Sequence, residues 1–452
     1  MSMHMCSGVW TLFYLTGLCT GAPTVFIPQI RRENSTDVID DDLASWLYSI
    51  SNITALPWLL IIPFLTQYFG RKPLYTLACI SILAVFIIMF FSGRAHQILY
   101  ANIIQGFANA SNVTIMVLIV IEYSSPKYRG VLSNITTANF YWGMWTSNAI
   151  GTFFYWKYIA VLGIISSIYT FSVLFYPESP YWLASKGRHK ECKASFRWLH
   201  GSTEESEREL RELMKSQVST SWSFNELKSK KFYMPLLLSI LIGAQCNFSG
   251  KLVCSAYAID LISKMTQSES AAYYGMLILD GVTVFGMYFG AYLSNFLKRR
   301  TILFTSSFIS CSFLLIISLY LYLVKLSFLT ENNIICVVLL VIYSFSVSSG
   351  SIIISLSIYG EIIPLRFQTI SFTITSFIYI SVSSILLKSA PVLFKAMSLH
   401  GSFLFFGLTF GACAMMLYCW LPETKDKTLL EIEEYFEEKN NTGVNKELVG
   451  KT

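Results

Sequence analysis

Long apolar stretches with almost no charge recur along the whole chain and restrict the folds open to it. The stretch from Ile159 to Tyr176, for example, contains no Asp, Glu, Lys or Arg. Of all residues 54% are hydrophobic and only 13% are charged, whereas soluble domains carry about 25% charged residues. Roughly 20 mostly apolar residues are enough for a helix to cross a bilayer. We therefore expect a chain that is embedded in a membrane.

Twelve stretches of this kind predict an all-α membrane protein with twelve spanning helices. The polar segment 177–232 separates the first six from the last six and is expected to form short helices outside the bilayer. The expected division is a first bundle at 1–176, this central segment, a second bundle at 233–421 and a tail at 422–452. The predicted spans are residues 8–30, 44–67, 74–91, 98–121, 131–153, 158–176, 233–261, 271–296, 301–324, 333–358, 369–389 and 400–421.

The positions of the basic residues predict the orientation, because short cytoplasmic loops carry an excess of Lys and Arg. The net charge of +6 then needs no nucleic-acid partner. Both termini and the central segment are expected on the cytoplasmic side of the cell membrane. The loop after span 1 is net acidic and faces outside, where Asn34 begins the glycosylation sequon Asn34-Ser35-Thr36. The basic residues that set this orientation are Arg71, Lys72, Lys127, Arg129, Lys298, Arg299, Arg300 and Arg366.

Three sets of polar residues recur at nearly the same spacing in the two halves of the chain. Such recurrence indicates two related bundles of six helices, the arrangement of the major facilitator class, in which the substrate site lies at the interface near the middle of the membrane. The recurring sets are Arg71-Lys72 with Arg299-Arg300, Glu122 with Glu361, and Pro177-Glu178-Ser179 with Pro422-Glu423-Thr424.

Several short motifs lie in order along nearly the whole chain. They are Ser45-Trp46, Gly70-Arg71-Lys72, Glu122 with Arg129-Gly130, Pro177-Glu178-Ser179-Pro180-Tyr181-Trp182, Gly360-Glu361-Ile362-Ile363-Pro364 and Pro422-Glu423-Thr424-Lys425. Together they resemble the motifs of the sugar porters of the major facilitator superfamily, and most of all those of the facilitated trehalose transporters of insects. The resemblance implies facilitative movement of a small sugar-like solute, trehalose or a hexose, by alternating access. It implies no enzyme activity, cofactor or metal, and it names the solute and the lipid bilayer as partners.

The charged residues of these motifs are predicted to form a latch at the cytoplasmic end, because partly buried carboxylate–guanidinium pairs are stronger than exposed ones. Such pairs can hold the two halves together while the cavity faces outward; the alternative is that they only anchor helix ends. This chain has Gln67, Asn102, Asn295 and Gln368 where the family has further charges. We therefore expect the free energies of the outward-facing and inward-facing states to differ less than in the family. The latch residues are Arg71, Lys72, Glu122, Arg129, Glu178, Arg299, Arg300, Glu361, Arg366 and Glu423.

The sugar-binding positions implied by the resemblance depart further from the family pattern. Residues 246–252 and 353–356 replace family segments that are rich in amides and that carry a Trp. A site built from amides rejects ligands that leave them unpaired, so their loss predicts a changed specificity, a less hydroxylated solute or lost transport. Trehalose transport would be retained if substitute contacts come from Asn139, Trp142, Trp145, Asn148 and Gln245; the alternative is that these residues only pack between helices. The expected solute-binding residues are Thr137, Gln245, Asn247, Ser249, Tyr257, Thr283 and Tyr379.

Lys251 and Asp280 are ionisable residues deep inside predicted spans 7 and 8. Counted from the loop that joins these spans, both lie roughly 15 Å into the membrane at 1.5 Å per residue, so the two side chains can meet. Ionisable residues at such depth are candidates for function. We expect an ion pair that borders the path of the solute. The alternatives are proton coupling through Asp280 and a purely structural pair.

Sequence motifs for catalysis or for the use of ATP are missing. The chain contains no Gly-x-Ser-x-Gly, no His-Glu-x-x-His and no Gly-rich phosphate loop, and it has only five His. Its ten Cys show no metal-binding spacing and are interpreted as small buried hydrophobes. Two other interpretations remain besides facilitative transport: a receptor of the same fold that does not transport, and a proton-coupled symporter.

Overall fold

The computed structural model describes residues 2–33, 39–123, 129–216, 229–330, 332–363 and 367–425. These residues form twelve long helical segments, named α1 to α12 along the chain, and no strand occurs among them. The predicted all-α fold is therefore confirmed. The uninterrupted segments are α1 (Ser2–Glu33), α2 (Asp41–Phe69), α3 (Lys72–Phe91), α5 (Arg129–Phe153), α8 (Glu269–Phe296), α9 (Arg299–Lys325), α11 (Gln368–Ala396) and α12 (Ser398–Trp420).

Four segments change their helical geometry along their length. Two of them, α4 and α10, contain a π-helical stretch at equivalent places in the two halves, and such stretches are frequent at functional sites. The pieces of α4 are Ala95–Ser111, Asn112–Met116 and Val117–Tyr123, and those of α10 are Asn333–Ser346, Val347–Ile352 and Ile353–Ile362. The pieces of α6 are Lys157–Thr170 and Phe171–Phe175, and those of α7 are Lys230–Phe248, Lys251–Ala256 and Ala258–Thr266.

Eleven of the twelve segments are long and apolar enough to cross a bilayer. The other one, α5, has 25 residues, or about 37 Å at 1.5 Å per residue, which exceeds a hydrocarbon core of about 30 Å. Its polar side chains need not meet lipid, because α5 packs between α1 and α8. Asn134, Ser147 and Asn148, for example, are fully buried.

Two glycines allow α1 and α5 to approach each other closely. A Cβ on Gly17 would lie 1.9 Å from the carbonyl oxygen of Phe140, and a Cβ on Gly143 would lie 2.0 Å from that of Tyr14. Helices in a membrane associate through close packing of this kind, because lipid offers no hydrophobic driving force between them. The contact fixes α5 against its own half while its other face reaches α8.

The two halves meet along two pairs of helices. α2 packs against α11, and α5 packs against α8. Each pair joins one helix of the first six to one helix of the last six. We call the end of the molecule at which α1 leads into α2 the first-loop end, and the opposite end, which carries residues 180–216, the central-segment end.

The central segment forms short helices, as predicted for residues 177–232, in the part that the structure describes. These are Pro180–Ser185, His189–His200 and Glu204–Ser216. Within the segment Ser195 Oγ donates a hydrogen bond to the carbonyl of Glu178 at 2.6 Å, and Trp182 Nε1 donates one to the carbonyl of Gln67 in α2 at 3.1 Å. The segment is thereby attached to the first half.

Candidate functional site

Arg71, between α2 and α3, binds Glu122 of α4 at the central-segment end. Its Nη2 donates to Glu122 Oε1 at 2.8 Å, and its Nε donates to Glu122 Oε2 at 3.2 Å. Ser179 Oγ also donates to Glu122 Oε2, at 2.6 Å. Burial is the largest single influence and opposes the charge of Arg71. The charge and hydrogen bonds of Glu122 together with the nearby Glu178 carboxylate offset burial and raise the pKa of Arg71 above its ordinary value. Bidentate pairs of arginine and carboxylate, in which two N–H groups bind the two oxygen atoms, are strong and directional.

Glu178 covers the start of α3 beside this pair. Its carboxylate accepts hydrogen bonds from the backbone N–H groups of Arg71 at 3.0 Å and Lys72 at 3.2 Å. The first N–H groups of a helix have no partner within the helix, and a negative charge there is also favoured by the helix dipole. Gly70 makes room for the carboxylate: it has a φ of +92°, and a Cβ on it would lie 2.5 Å from Glu178 Oε2.

The second half repeats this arrangement at the same end. Arg299 Nη2 lies 3.4 Å from Glu361 Oε1, and Thr424 Oγ1 donates to Glu361 Oε2 at 2.6 Å. Glu423 accepts from the backbone N–H groups of Arg299 at 3.1 Å and Arg300 at 3.2 Å. The two clusters are thus equivalent, as the repeated motifs predicted, but the ion pair of the second half is longer.

The remaining predicted latch residues also make contacts within one half. Lys72 Nζ donates to the carbonyl of Leu174 at 2.8 Å, and Arg300 Nη2 donates to that of Tyr418 at 2.6 Å. Arg129 begins α5, but its side chain is not described, and Arg366 and Asn34 lie outside the described residues. In the described ranges, therefore, the latch residues connect helices of the same half and form no ion pair between halves.

Ion pairs between the halves lie instead at the first-loop end. They join α2 to α11 and α1 to α8, and their side chains are partly exposed. The sequence motifs do not pair these residues, although the acidic start of α2 and the two Lys of α11 are signals that could have indicated the pairs. The pairs are Lys388–Asp42 at 2.7 Å, Lys395–Asp41 at 2.7 Å and Arg32–Glu269 at 2.5 Å.

Further contacts between the halves lie close to these ion pairs. Thr24 Oγ1 of α1 donates to the carbonyl of Ala256 in α7 at 3.0 Å. The rings of Tyr48 in α2 and Tyr257 in α7 have centroids 4.4 Å apart. Lys388 Nζ also lies 4.0 Å from the centre of the Trp46 ring, a favourable cation–π distance. The structure therefore represents a state in which the first-loop end is closed.

The predicted solute-binding residues of α7 are occupied by protein partners in this state. Gln245 Nε2 donates to Ser307 Oγ at 2.7 Å, whereas Gln245 Oε1 has no partner among the described residues. Asn247 Nδ2 donates to the carbonyl of Tyr379 at 3.0 Å, and Asn247 Oδ1 accepts from Ser383 Oγ at 2.5 Å. Each amide therefore already binds α9 or α11.

The predicted solute-binding residues that carry a hydroxyl differ in how strongly this hydroxyl is already hydrogen-bonded within the protein. Ser249 Oγ donates to a carbonyl of its own helix at 2.6 Å, and Tyr257 Oη donates to a carbonyl of α11 at 2.9 Å. Thr283 Oγ1 lies 2.8 Å from Ser344 Oγ. Thr137 is partly exposed, and its Oγ1 makes only a 3.4 Å contact with a carbonyl of its own helix. Of these four, Thr137 thus has the most available hydroxyl. Tyr379, the fifth predicted residue with a hydroxyl, is partly buried, and its backbone carbonyl accepts from Asn247.

Lys251 and Asp280 lie side by side, as their equal depths suggested. Lys251 Nζ is 3.9 Å from Asp280 Oδ1, and the side chains are 1% and 3% exposed. Asp280 also accepts from Asn148 Nδ2 at 2.7 Å and from Ser255 Oγ at 3.1 Å. A buried carboxylate with three polar neighbours is well accommodated. Because Asn148 belongs to α5, the group spans both halves.

Comparisons with known proteins give consistent matches over most of the chain. Residues 4–436 match the family described as "Sugar (and other) transporter". The facilitated trehalose transporter of Apis mellifera ligustica is 25% identical over 415 residues, which cover 90% of this chain and 82% of the relative. The sugar transporter ERD6-like 6 of Arabidopsis thaliana is 26% identical over 404 residues, which cover 86% of this chain and 81% of the relative.

Solved structures of a bacterial symporter share the fold. The proton:xylose symporter XylE bound to 6-bromo-6-deoxy-D-glucose superposes with a TM-score of 0.79 at 14% identity, over 96% of this chain and 100% of that chain. An inward-open structure of XylE from E. coli gives a TM-score of 0.73 at 14% identity, over 96% of this chain and 100% of that one. At these identities the likeness establishes the fold alone.

Proposed function

The chain belongs to the sugar (and other) transporter family, whose match covers residues 4–436, and from this premise we propose what it transports and how. It is a multi-pass membrane transporter that moves a sugar-like solute by alternating access. Trehalose is the first proposed solute, because facilitated trehalose transporters of several insects match 87–90% of the chain. A hexose is the second. Because the sequence contains no ATP-binding motif, the movement is proposed to be either facilitative or ion-coupled. The likeness to facilitated trehalose transporters favours the facilitative mode.

The ion pairs between the halves at the first-loop end are the observation that carries this mechanism. Alternating access requires contacts that exist in one state and break in the other. Partly exposed ion pairs are worth only about 0–1 kcal/mol each, so they can hold an end closed and still separate during transport. The clusters around Glu122 and Glu361 stay within single halves and can move with them as units.

We infer that the central-segment end faces the cytoplasm of a cell-membrane protein and that the first-loop end faces outside. The excess of basic residues near the central-segment end supports this orientation. The described state is then closed to the outside. The bundles 1–176 and 233–421 are the proposed moving units, and Asn34 is the proposed glycosylation site on the outer side.

A receptor that binds the solute without transporting it is the second candidate function. It is favoured by the internal hydrogen bonds of Gln245, Asn247 and Tyr257, which leave few of the expected sugar contacts available in the described state. The two functions differ in turnover, because only a transporter exchanges solute across the bilayer.

Exchange of radiolabelled trehalose and glucose in proteoliposomes tests these proposals. A facilitative transporter is expected to equilibrate label and to speed up its entry when unlabelled solute is loaded inside. A receptor binds label without accelerated exchange, and a proton symporter responds to an imposed pH gradient. Protein-free liposomes set the background. Exchange no faster than this background for both sugars would contradict the proposed transport.

A further inference from the structure

A buried charged group lies where the two halves meet, nearer the first-loop end than the predicted solute residues of α8. Asp280 combines an ion pair with Lys251 of its own half and a hydrogen bond from Asn148 of the other half. Thr283, the predicted solute residue of α8, is three residues further along the helix, or about 4.5 Å. Asp280 therefore lies one turn from Thr283 on the same face of α8, so the charged group borders the predicted solute positions without being one of them.

Two atoms of this group have unused hydrogen-bonding capacity. The Lys251 ammonium can donate three hydrogen bonds, yet Nζ makes none in the described part of the chain. Its 3.9 Å distance to Asp280 is too long for a hydrogen bond. Asn148 Oδ1 likewise has no partner among the described residues. Because buried polar groups are normally paired, the group offers a donor and an acceptor to a ligand that can both accept and donate.

The bond between Asn148 and Asp280 must break when the halves separate at the first-loop end. Trp145, one turn before Asn148, makes a parallel contact, since its Nε1 donates to the carbonyl of Leu277 in α8 at 3.2 Å. Both bonds join α5 to α8 across the interface between the halves. Separation would remove the shortest hydrogen bond of the Asp280 carboxylate, the one from Asn148. It would also uncover the Trp145 ring. A carboxylate in a low-dielectric site is costly unless another donor replaces the lost one.

We propose that Asp280 and Lys251 form the main polar contact for the solute when the first-loop end is open, and that Asn148 takes the place of the solute on Asp280 when this end closes. The inference rests on the proposed transport function and names the solute contacts within it. Hydroxyl groups fit both members, because they donate to a carboxylate and accept from an ammonium. The pair carries no net charge, so the ligand class is a neutral polyol with neighbouring hydroxyls.

The double variant Lys251→Met/Asp280→Leu tests the pair without leaving a buried charge unpaired. Replacing a buried ion pair by apolar residues of similar size is often neutral or stabilising for the fold. We expect a folded protein with a modestly lower melting temperature, because Asn148 Nδ2 and Ser255 Oγ lose their acceptor. The KM for trehalose exchange should rise about tenfold or more, because hydrogen bonds to charged groups are lost. Ser310→Ala, which removes a buried hydroxyl contact between α9 and α10, is the control and should leave KM unchanged.

The single variant Asn148→Ala tests the exchange of partners. Without Asn148 the solute no longer competes for Asp280, so the KM for trehalose should fall. The maximal rate should also fall, because closing loses one of its bonds. If Asn148 had a purely structural role, its removal would not lower KM, and KM and the maximal rate would not fall together.

The possible outcomes separate this inference from the proposed function. Sugar exchange by the wild type with an unchanged KM in the folded double variant overturns the inference and leaves the function standing. If the wild type shows no exchange, thermal stabilisation of the purified protein by trehalose or glucose replaces KM as the readout. Stabilisation that the double variant loses supports the pair as a ligand site on a receptor. No stabilisation of the wild type by either sugar overturns both proposals.

Discussion

Arg71 and Arg299 occupy equivalent positions in the two halves but make ion pairs of different quality. Arg71 uses two nitrogen atoms on Glu122 at 2.8 and 3.2 Å, whereas Arg299 uses one on Glu361 at 3.4 Å. The Glu122 side chain is 9% exposed and that of Glu361 is 30% exposed. Burial strengthens an ion pair with good geometry and also raises the cost of breaking it. The stability of the first half should therefore depend more strongly on its Arg71–Glu122 pair than that of the second half depends on Arg299–Glu361.

Removing one partner of the first cluster should destabilise the protein. In Arg71→Met, Glu122 remains partly buried without its counter-charge, and we expect a loss of about 3 kcal/mol in unfolding free energy. The double variant Arg71→Met/Glu122→Met removes both charges and should recover most of this loss. Thermal unfolding of the purified protein in detergent measures both effects.

An exposed ion pair provides the matched control for this prediction. Arg188 and Glu191 are 49% and 57% exposed, and such pairs contribute about 0–1 kcal/mol. Arg188→Met should therefore change the melting temperature much less than Arg71→Met. Equal effects of the two substitutions would show that burial of the first cluster does not matter.

The start of α2 and the last turns of α11 form the main closure of the first-loop end. Asp40 caps α2 by accepting a hydrogen bond from the backbone N–H of Leu43 at 2.8 Å. The next two residues, Asp41 and Asp42, lie where the helix dipole favours negative charge. Lys388 and Lys395 are seven residues apart and therefore lie on the same face of α11, two turns apart. The two Lys can thus bind the two Asp together.

Reversing one charge of this closure should open the first-loop end. In a Thr24→Cys background, Lys388→Asp places a like charge beside Asp42, and labelling of the new Cys by a membrane-impermeant maleimide should rise several-fold. Adding Asp42→Lys restores an opposite pair and should lower the labelling again. High salt should also raise labelling of the background protein, because exposed pairs are screened above about 0.15 M.

Lys157→Asp is the control for local charge at the same end. Lys157 lies 5.7 Å from the Trp156 ring within the first half, so its reversal does not touch the contact between halves. Labelling at Thr24→Cys should then stay at the background level. If labelling rises as much as in Lys388→Asp, general charge and not the specific pair controls the opening.

The described residues have symmetric clusters at the central-segment end and ion pairs between the halves at the first-loop end. The halves also touch nearer the central-segment end, where Ser357 Oγ lies 3.4 Å from Asn134 Oδ1. The clusters of Arg71 and Arg299 repeat the same arrangement, because each half is built from the same order of six helices. Within the described ranges the ion pairs of the first-loop end have no such repetition, since α2 is paired with α11 but no ion pair joins the equivalent helices α8 and α5. This asymmetry stabilises one state of the cycle, and the described state is the one closed at the first-loop end.

Epitope tags should show an even number of membrane crossings. Tags fused before Met1 and after Thr452 are expected to be inaccessible on intact cells and accessible after permeabilisation. A tag inserted between Glu33 and Ile39 should be accessible on intact cells. Antibody labelling with and without detergent measures all three. Termini on opposite sides of the membrane would contradict both the fold and the proposed orientation.

The sequence alone predicted the number of helices and most of their limits. The stretch 301–324 was expected to span and is found as Arg299–Lys325, and 271–296 is found as Glu269–Phe296. Hydropathy is a sum over neighbouring residues, so it depends little on the rest of the fold. The depth of Lys251 and Asp280 followed from the same local count, because the rise per residue of a helix is constant.

The partner of each polar side chain was decided only by the tertiary structure. Glu122 meets Arg71 across 51 residues of sequence, and Lys388 meets Asp42 across 346. Gln245 and Asn247 bind neighbouring helices, which the motif that contains them did not indicate. A hydrogen bond or ion pair forms only within a few ångströms, and whether two distant residues come that close depends on the packing of all twelve helices together.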